Sequence, residues 1–147
     1  MPAFQASEEF QVNAPLEETW KFISDISNVG RCIPGCEDVR QIDETTALFR
    51  IKFKVGYLSK TFELKAKILE KITGEHLKFS ASGQDAEIAG VIELQNVDPE
   101  KSTNVKYSIE ISAVSATGKT ALALLGKETV RKQTSEFAAC VKTNVGS

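Results

Sequence analysis

The chain has no run approaching the roughly 18 consecutive apolar residues that a membrane-spanning helix requires. Its amino terminus carries Glu8 and Glu9 where a secretory leader would have a basic stretch and then an apolar one. Both absences set the expectation of a cytoplasmic protein. Charge of one sign is lacking too: 18 Lys and Arg against 20 Asp and Glu leave a net charge of −2. With no basic stripe to neutralise phosphates, nucleic acid is a poor candidate for the main ligand. Histidine is nearly absent, His76 being the only one, and the three cysteines, Cys32, Cys36 and Cys140, are an odd number. An odd count argues against a disulfide framework. Cys32 and Cys36 make a C-x3-C pair, which falls short of the four ligands a structural zinc needs. The three read as ordinary buried or half-buried thiols, with no metal and no cofactor expected. Repeats and low-complexity tracts are missing as well.

What the chain does have is 147 residues, 41% of them hydrophobic. That is one domain's worth, and a chain of this size buries about 70% of its unfolded surface, enough to fold without a metal or a disulfide. Alternation is clear in its middle. Ala47, Phe49, Ile51, Phe53 and Val55 alternate with Arg50, Lys52 and Lys54; then Phe62, Leu64, Ala66, Ile68 and Ile72 face one side, with Thr61, Glu63, Lys65, Lys67 and Lys71 on the other. A turn or bulge containing Gly56 separates the two runs. Leu77, Phe79 and Ala81 form a third run after the Thr73-Gly74-Glu75 turn, and Ile88, Gly90, Ile92 and Leu94 a fourth. Val105, Tyr107, Ile109, Ile111 and Ala113 form a fifth after the loop at Asp98-Pro99-Glu100-Lys101. Phe10 and Val12 open the sheet, and Val39 to Ile42 make a short edge strand. The result is an antiparallel meander with one wet face.

Two helical segments flank these strands. The first starts at Asn13-Ala14-Pro15, with Pro15 suited to the first turn, turns Leu16, Trp20 and Ile23 to one side, and ends near Asp25 to Asn28. The second starts after Gly118 and runs to about Val145. Leu122, Leu125, Val130, Phe137, Val141 and Val145 recur along it at helical spacing, with Lys127, Glu128, Arg131, Lys132 and Glu136 on the other arc. A curved sheet must bury its apolar face against a second layer, and this terminal helix is the only long element left to supply one. The sheet therefore wraps the helix. Small residues at Ala66, Ala81, Gly90, Ala113, Gly126 and Ala138 leave room for a cavity between them. They equally let the layers approach closely, with Phe49, Phe53, Phe62, Phe79 and Phe137 filling the space. Periodicity alone leaves both open.

Two motifs remain. Ala113 to Thr120 fits a relaxed phosphate-loop pattern ending in Gly118-Lys119-Thr120. Hairpin strands upstream and so little chain downstream do not suit a phosphate-binding α/β sheet, so Gly118 reads as a helix start. In Asn28-Val29-Gly30-Arg31-Cys32-Ile33-Pro34-Gly35-Cys36-Glu37, Pro34 fixes φ at one corner of a tight turn and Gly35 tolerates positive φ at the next.

That run, together with the segment from Phe10 to Asp25, resembles the carbon monoxide dehydrogenase CoxG family, within the START-like (SRPBCC) helix-grip superfamily. The family opens much like V-x-A-P-x-E-x-V-W and continues with C-I-P-G-C-E; Thr19 stands here where Val is common. The resemblance implies an α+β helix-grip fold: one START-like ligand-binding domain over residues 1–147, with a curved antiparallel sheet of about seven strands, two short helices after the first strand, and a long C-terminal helix over an apolar cavity. It also implies association with a molybdenum-containing CO dehydrogenase-type enzyme, either recruiting it to the membrane or carrying a quinone to it. Many members continue into a membrane-attaching tail, whereas this sequence ends at Ser147. Contact with the inner face of the membrane is therefore expected to be peripheral at most.

The leading functional expectation is a non-catalytic protein holding an apolar ligand of quinone or lipid class. Its candidate lining is Trp20, Phe49, Ile51, Phe53, Phe62, Leu64, Phe79, Ile92, Tyr107, Ile109, Leu122, Leu125, Gln133 and Phe137, each explained equally well by core packing. Tyr107 and Gln133 are the polar pair for a ligand head. A second reading makes the chain a docking module for a redox enzyme through Arg31, Cys32, Ile33, Pro34, Gly35, Cys36 and Glu37. A third, a small cavity enzyme of cyclase or hydrolase type, has only His76, Asp85 and Glu87 to draw on.

Overall fold

The computed structural model describes residues 3–55, 57–98 and 101–145, and their side chains except at 3, 53–55, 58, 98, 121–122 and 124–130. Phe53, Leu122 and Leu125 lie outside the described side chains, as do Val55, Gly126, Lys127, Glu128 and Val130. The turn positions Gly56, Pro99 and Glu100 lie outside the described residues.

Strand β1 (Ala3–Val12) leads into helices α1 (Leu16–Ile23) and α2 (Ile26–Cys32). Six strands follow: β2 (Cys36–Gln41), β3 (Thr46–Val55), β4 (Leu58–Ile72), β5 (His76–Ser82), β6 (Ala86–Asp98) and β7 (Ser102–Ala113). Helix α3 (Ala116–Val145) closes the chain. The strands form one antiparallel seven-stranded sheet in the order β1-β7-β6-β5-β4-β3-β2. Neighbouring strands are successive in sequence except where β1 joins β7, so the first and last strands lie side by side. Helix α3 packs over that pair.

Register follows from the alternation. Phe49 stands opposite Leu64, Ile51 opposite Phe62, and Ala66 opposite Ala81, so apolar residues share one face across three strands. All six are buried, while Arg50, Glu63, Lys65 and Lys67 stay exposed. A one-residue slip would turn every one of these side chains over, which is why burial pins the register. One departure is a register shift between Ile68 and Glu70. It leaves Leu69 62% and Ile72 40% exposed, correcting the expectation that Ile72 faces inward; a bulge of this kind inserts a residue and re-aims those beyond it.

The first helical segment is two helices. Pro15 occupies the N-cap of α1, one residue outside the helix, and its carbonyl accepts from the backbone N–H and the hydroxyl of Thr19 at 3.1 and 3.0 Å. The chain breaks at Ser24-Asp25, where the Asp25 carboxylate accepts from the Ser27 N–H at 2.9 Å and starts α2. Asn28 bridges back by donating to the Phe22 carbonyl at 3.0 Å. At the other end of α2, the Cys36 N–H donates to Ile33 O at 3.1 Å, with Gly35 at φ +83°. This is the tight turn expected at Pro34-Gly35. A Cβ at Gly35 would strike the Lys52 carbonyl, so glycine is required there twice over.

Helix α3 begins at Ala116, three residues earlier than the start after Gly118 that the sequence indicates. Ser115 caps it, its hydroxyl accepting from the Gly118 N–H at 2.9 Å and donating to the Asp85 carboxylate at 2.7 Å. Only Val114 and Ser115 separate β7 from the helix, so nothing resembling a phosphate cradle forms. Among the described residues, no helix is long and apolar enough to cross a membrane.

Candidate functional site

A ligand cavity was expected between the sheet and α3, and the seam of α3 with β7 is one part of that space. Tyr107, Ile109 and Ile111 alternate inward along β7, while Gln133, Thr134 and Phe137 line the helix at spacings of three and four. Ile33 and Pro34, just past α2, close the third side. Together these eight side chains enclose a pocket of about 10 Å³, room for no more than a single water. The Phe137 ring lies on Tyr107 with centroids 4.1 Å apart and planes 14° from parallel. Among the described residues, this part of the seam is closely packed. Burial pushes the Tyr107 phenol above its usual range, so it stays protonated.

Of the expected lining residues, Tyr107, Ile109, Gln133 and Phe137 come together at this pocket. Ile33 and Pro34, expected to dock a partner, wall it as well, and Ile111 and Thr134 complete it without having been singled out in the sequence. Trp20, Phe49, Ile51, Phe62, Leu64, Phe79 and Ile92 lie in the continuous core. There the small residues serve close packing. A Cβ on Gly30 would fall 2.5 Å from the Phe49 ring, and one on Gly90 would overlap the Phe79 ring. Each ring occupies the space its glycine leaves.

The expected docking segment divides into two. Arg31, Gly35 and Glu37 are exposed, Pro34 and Cys36 half-buried, and Cys32 and Ile33 buried. Gly35, Cys36, Glu37 and Lys52 border an open hollow of about 380 Å³. Cys32 is joined to Cys140 of α3 by a disulfide, with Cα atoms 5.4 Å apart, a spacing suited to that bond. This overturns the reading of three ordinary thiols and breaks up the C-x3-C pair. The two partners are 108 positions apart, and sequence spacing carried no sign of the bond. Cys36 keeps its thiol, donating to Asp38 O at 3.4 Å, and burial raises its pKa. Among the described residues, no group of His, Cys, Asp and Glu could hold a metal ion.

A second, open groove of about 860 Å³ was not foreseen. It is bordered by Gln5, Ser7, Glu8, Ser108, Glu110 and Arg131, among others, and the Gln5 amide donates to Glu110 across the strands at 2.8 Å. Its lining mixes these polar groups with Ala6, Ala89, Val91 and Ile109. The groups considered for catalysis are dispersed. His76 Nε2 lies 2.6 Å from Glu70 Oε1 beside Lys78, and hydrogen bonding to His76, then the Lys78 charge, holds the Glu70 carboxyl below its ordinary range. Asp85 supports the Ser115 cap, with Lys60 at 4.0 Å, and Glu87 is exposed opposite Ser112. None of them borders the closed pocket.

The family model for the CoxG subunit of carbon monoxide dehydrogenase matches residues 9–146. The chain belongs to that family. Membership makes its role accessory in kind, in keeping with the subunit for which the family is named. No curated protein matches the chain in sequence comparison. Solved structures share its fold at low identity. A conserved protein from Geobacillus kaustophilus superposes with a TM-score of 0.71 at 18% identity, over 96% of this chain and 94% of that one. A START superfamily protein from Mycobacterium smegmatis gives 0.71 at 11%, over 96% of both chains. The Zhui aromatase/cyclase from Streptomyces sp. R1128 gives 0.60 at 12%, over 97% of this chain and 90% of the other. The helix-grip fold read from the sequence is thus the fold of this CoxG-family chain. Because the same fold carries an enzyme in one neighbour, fold alone does not decide catalysis.

Proposed function

We propose that this CoxG-family chain is a non-catalytic carrier that shelters an apolar molecule of quinone or lipid class beneath α3 and serves a CO dehydrogenase-type molybdenum enzyme. The observation that carries this reading is the closed pocket itself. Apolar walls from Ile33, Ile109, Ile111 and Phe137 surround two polar side chains, Tyr107 and Gln133, at the junction of sheet and helix. Ligand sites are built this way, mostly apolar with a few placed polar groups. Tyr107, held protonated, is a hydroxyl donor, and the Gln133 amide both donates and accepts, a pair matched to a quinone carbonyl or an ester head.

Opening the pocket parts the Tyr107–Phe137 stack and uncovers a buried ring, at a cost of about 3–5 kcal/mol on the scale of a lost buried aromatic. Burying roughly 200 Å² of ligand surface at about 25 cal/mol per Å² offsets the upper figure. An isoprenoid or acyl chain has ample surface for that, and a filled apo pocket is compatible with a ligand that displaces Phe137.

The test uses Trp20, the single tryptophan, which is 8% exposed in α1. Titration with decyl-ubiquinone should quench its emission saturably, and Gln133→Leu should weaken binding of the quinone more than that of a headless alkane. Linear, non-saturating quenching that matches free tryptophan would refute the carrier reading.

The docking alternative draws on the hollow at Gly35, Cys36, Glu37 and Lys52. Pro34 and Gly35 cannot separate the two readings, since one walls the pocket and the other is fixed by its turn. Arg31 and Glu37 can, because both are exposed. Reversing their charges should abolish capture of a partner enzyme while leaving decyl-ubiquinone binding intact if docking uses this loop.

A further inference from the structure

The disulfide and the closed pocket share their walls. Ile33 and Pro34 directly follow Cys32; Phe137 stands about one helical turn before Cys140, and Gln133 about two. A guest that enters between Ile33-Pro34 and Phe137 parts that loop from the helix. Those are the two segments the bridge ties together.

We propose that Cys32–Cys140 is a redox latch on the pocket: oxidised, it holds loop and helix together and excludes a guest; reduced, it lets them separate so that an apolar molecule can enter or leave. This rests on the carrier reading and adds the control of that same site. The sulfurs are unequal in access, Cys32 being 3% exposed and Cys140 half-buried, with the Asn144 amide 3.6 Å from its sulfur. A dithiol reductant therefore attacks at Cys140. Its thiolate forms a bond to Cys140 Sγ as the Cys32–Cys140 bond breaks, and Cys32 leaves as a thiolate and takes up a proton. The reductant's second thiol then displaces Cys140, which also becomes a thiol. The protein gains two electrons and two protons, and the reductant leaves as its own disulfide. Cys36 stays out of the exchange, because its thiol is engaged with Asp38 and burial keeps it protonated. Disulfides are rare where thiols are kept reduced, so the latch stands open in a reducing compartment and shut in an oxidising one.

The experiment follows uptake of the fluorescent apolar probe N-phenyl-1-naphthylamine by the full chain, purified without reductant and compared before and after dithiothreitol, with free thiols counted in parallel. The latch predicts one free thiol before reduction and three after. It also predicts uptake faster by about tenfold or more in the reduced form, the scale of a modest population shift, and Cys140→Ser fast with or without dithiothreitol. Should Cys140→Ser fail to fold, hydrogen exchange of the wild type decides instead, quickening on reduction only at residues 26–36 and 131–141. Equal uptake in both forms overturns the latch and leaves the carrier standing. Absence of uptake in either form removes the carrier and the latch with it. Three free thiols before reduction, or exchange quickened across β5 to β7 as well, overturns the latch alone.

Discussion

At its start, α3 is fastened by polar contacts: Ser115 caps the helix and holds Asp85, the Val114 N–H donates to Asp85 O at 3.0 Å, and Gly118 is pressed against that same carbonyl. At its end the fastening is apolar and covalent. Phe137, Ala138 and Val141 are buried, Lys142 sits over the Phe10 ring of β1 at 5.8 Å, and Cys140 is bonded to α2. The difference teaches where such a helix can move. Hydrogen bonds to a turn are specific and local, whereas packed rings and a chemical bond join it to the wall of the pocket itself. If a guest is admitted, the change must come at the second end, because that is where the expected ligand-head residues lie.

Removing each fastening separately should show this asymmetry. The largest loss belongs to Phe137→Ala, about 3–5 kcal/mol for a buried aromatic, read as a denaturant midpoint shift at constant slope. A loss under about 1 kcal/mol would mean that the ring is not packed as described. Reducing Cys32–Cys140 comes next, about 2–5 kcal/mol for a bond closing a long loop, observed as a lower melting temperature in dithiothreitol that Cys140→Ser reproduces. Gly118→Ala should cost about 1–3 kcal/mol, because its new Cβ meets backbone that cannot swing aside. Ser115→Ala follows at about 1 kcal/mol for a lost cap. If both changes at the start of α3 proved costlier than Phe137→Ala, the comparison would be reversed.

The smallest effect lies away from the helix. Glu70 is held below its ordinary pKa of 4.5 by His76 and Lys78. A depressed carboxyl stabilises the fold above its ordinary value, and that contribution is lost as pH falls through the lowered one. With Glu70 exposed and screened, Glu70→Gln should alter the acid limb of stability only slightly below pH 4.5 and leave it unchanged at neutral pH.

The sheet was legible because charge marks parity. Arg50, Lys52, Lys65 and Lys67 lie between apolar residues so regularly that the wet and dry faces could be assigned strand by strand. The start of the sheet was less clear, since Phe10 and Val12 alone do not reveal a strand reaching back to Ala3. Periodicity did not separate helix α2 from the first helical segment, a division that the family resemblance alone implied, because seven residues containing Ser27 and Gly30 have little propensity of their own and depend on the Asp25 cap and on packing. The small residues were ambiguous in principle: a glycine in a strand signals space, but only coordinates show that Phe79 fills the space at Gly90. The disulfide could not be read at all, and with it went the shared role of the Ile33-Pro34 loop as a pocket wall.

Native mass spectrometry of the protein isolated from its own cells addresses the carrier claim most directly. The account predicts a species heavier than the bare chain by one quinone- or lipid-sized molecule, recoverable into organic solvent and depleted in Phe137→Trp, where the pocket is overfilled. Bare chain alone under the gentlest ionisation, with an organic extract empty of any such molecule, would contradict it.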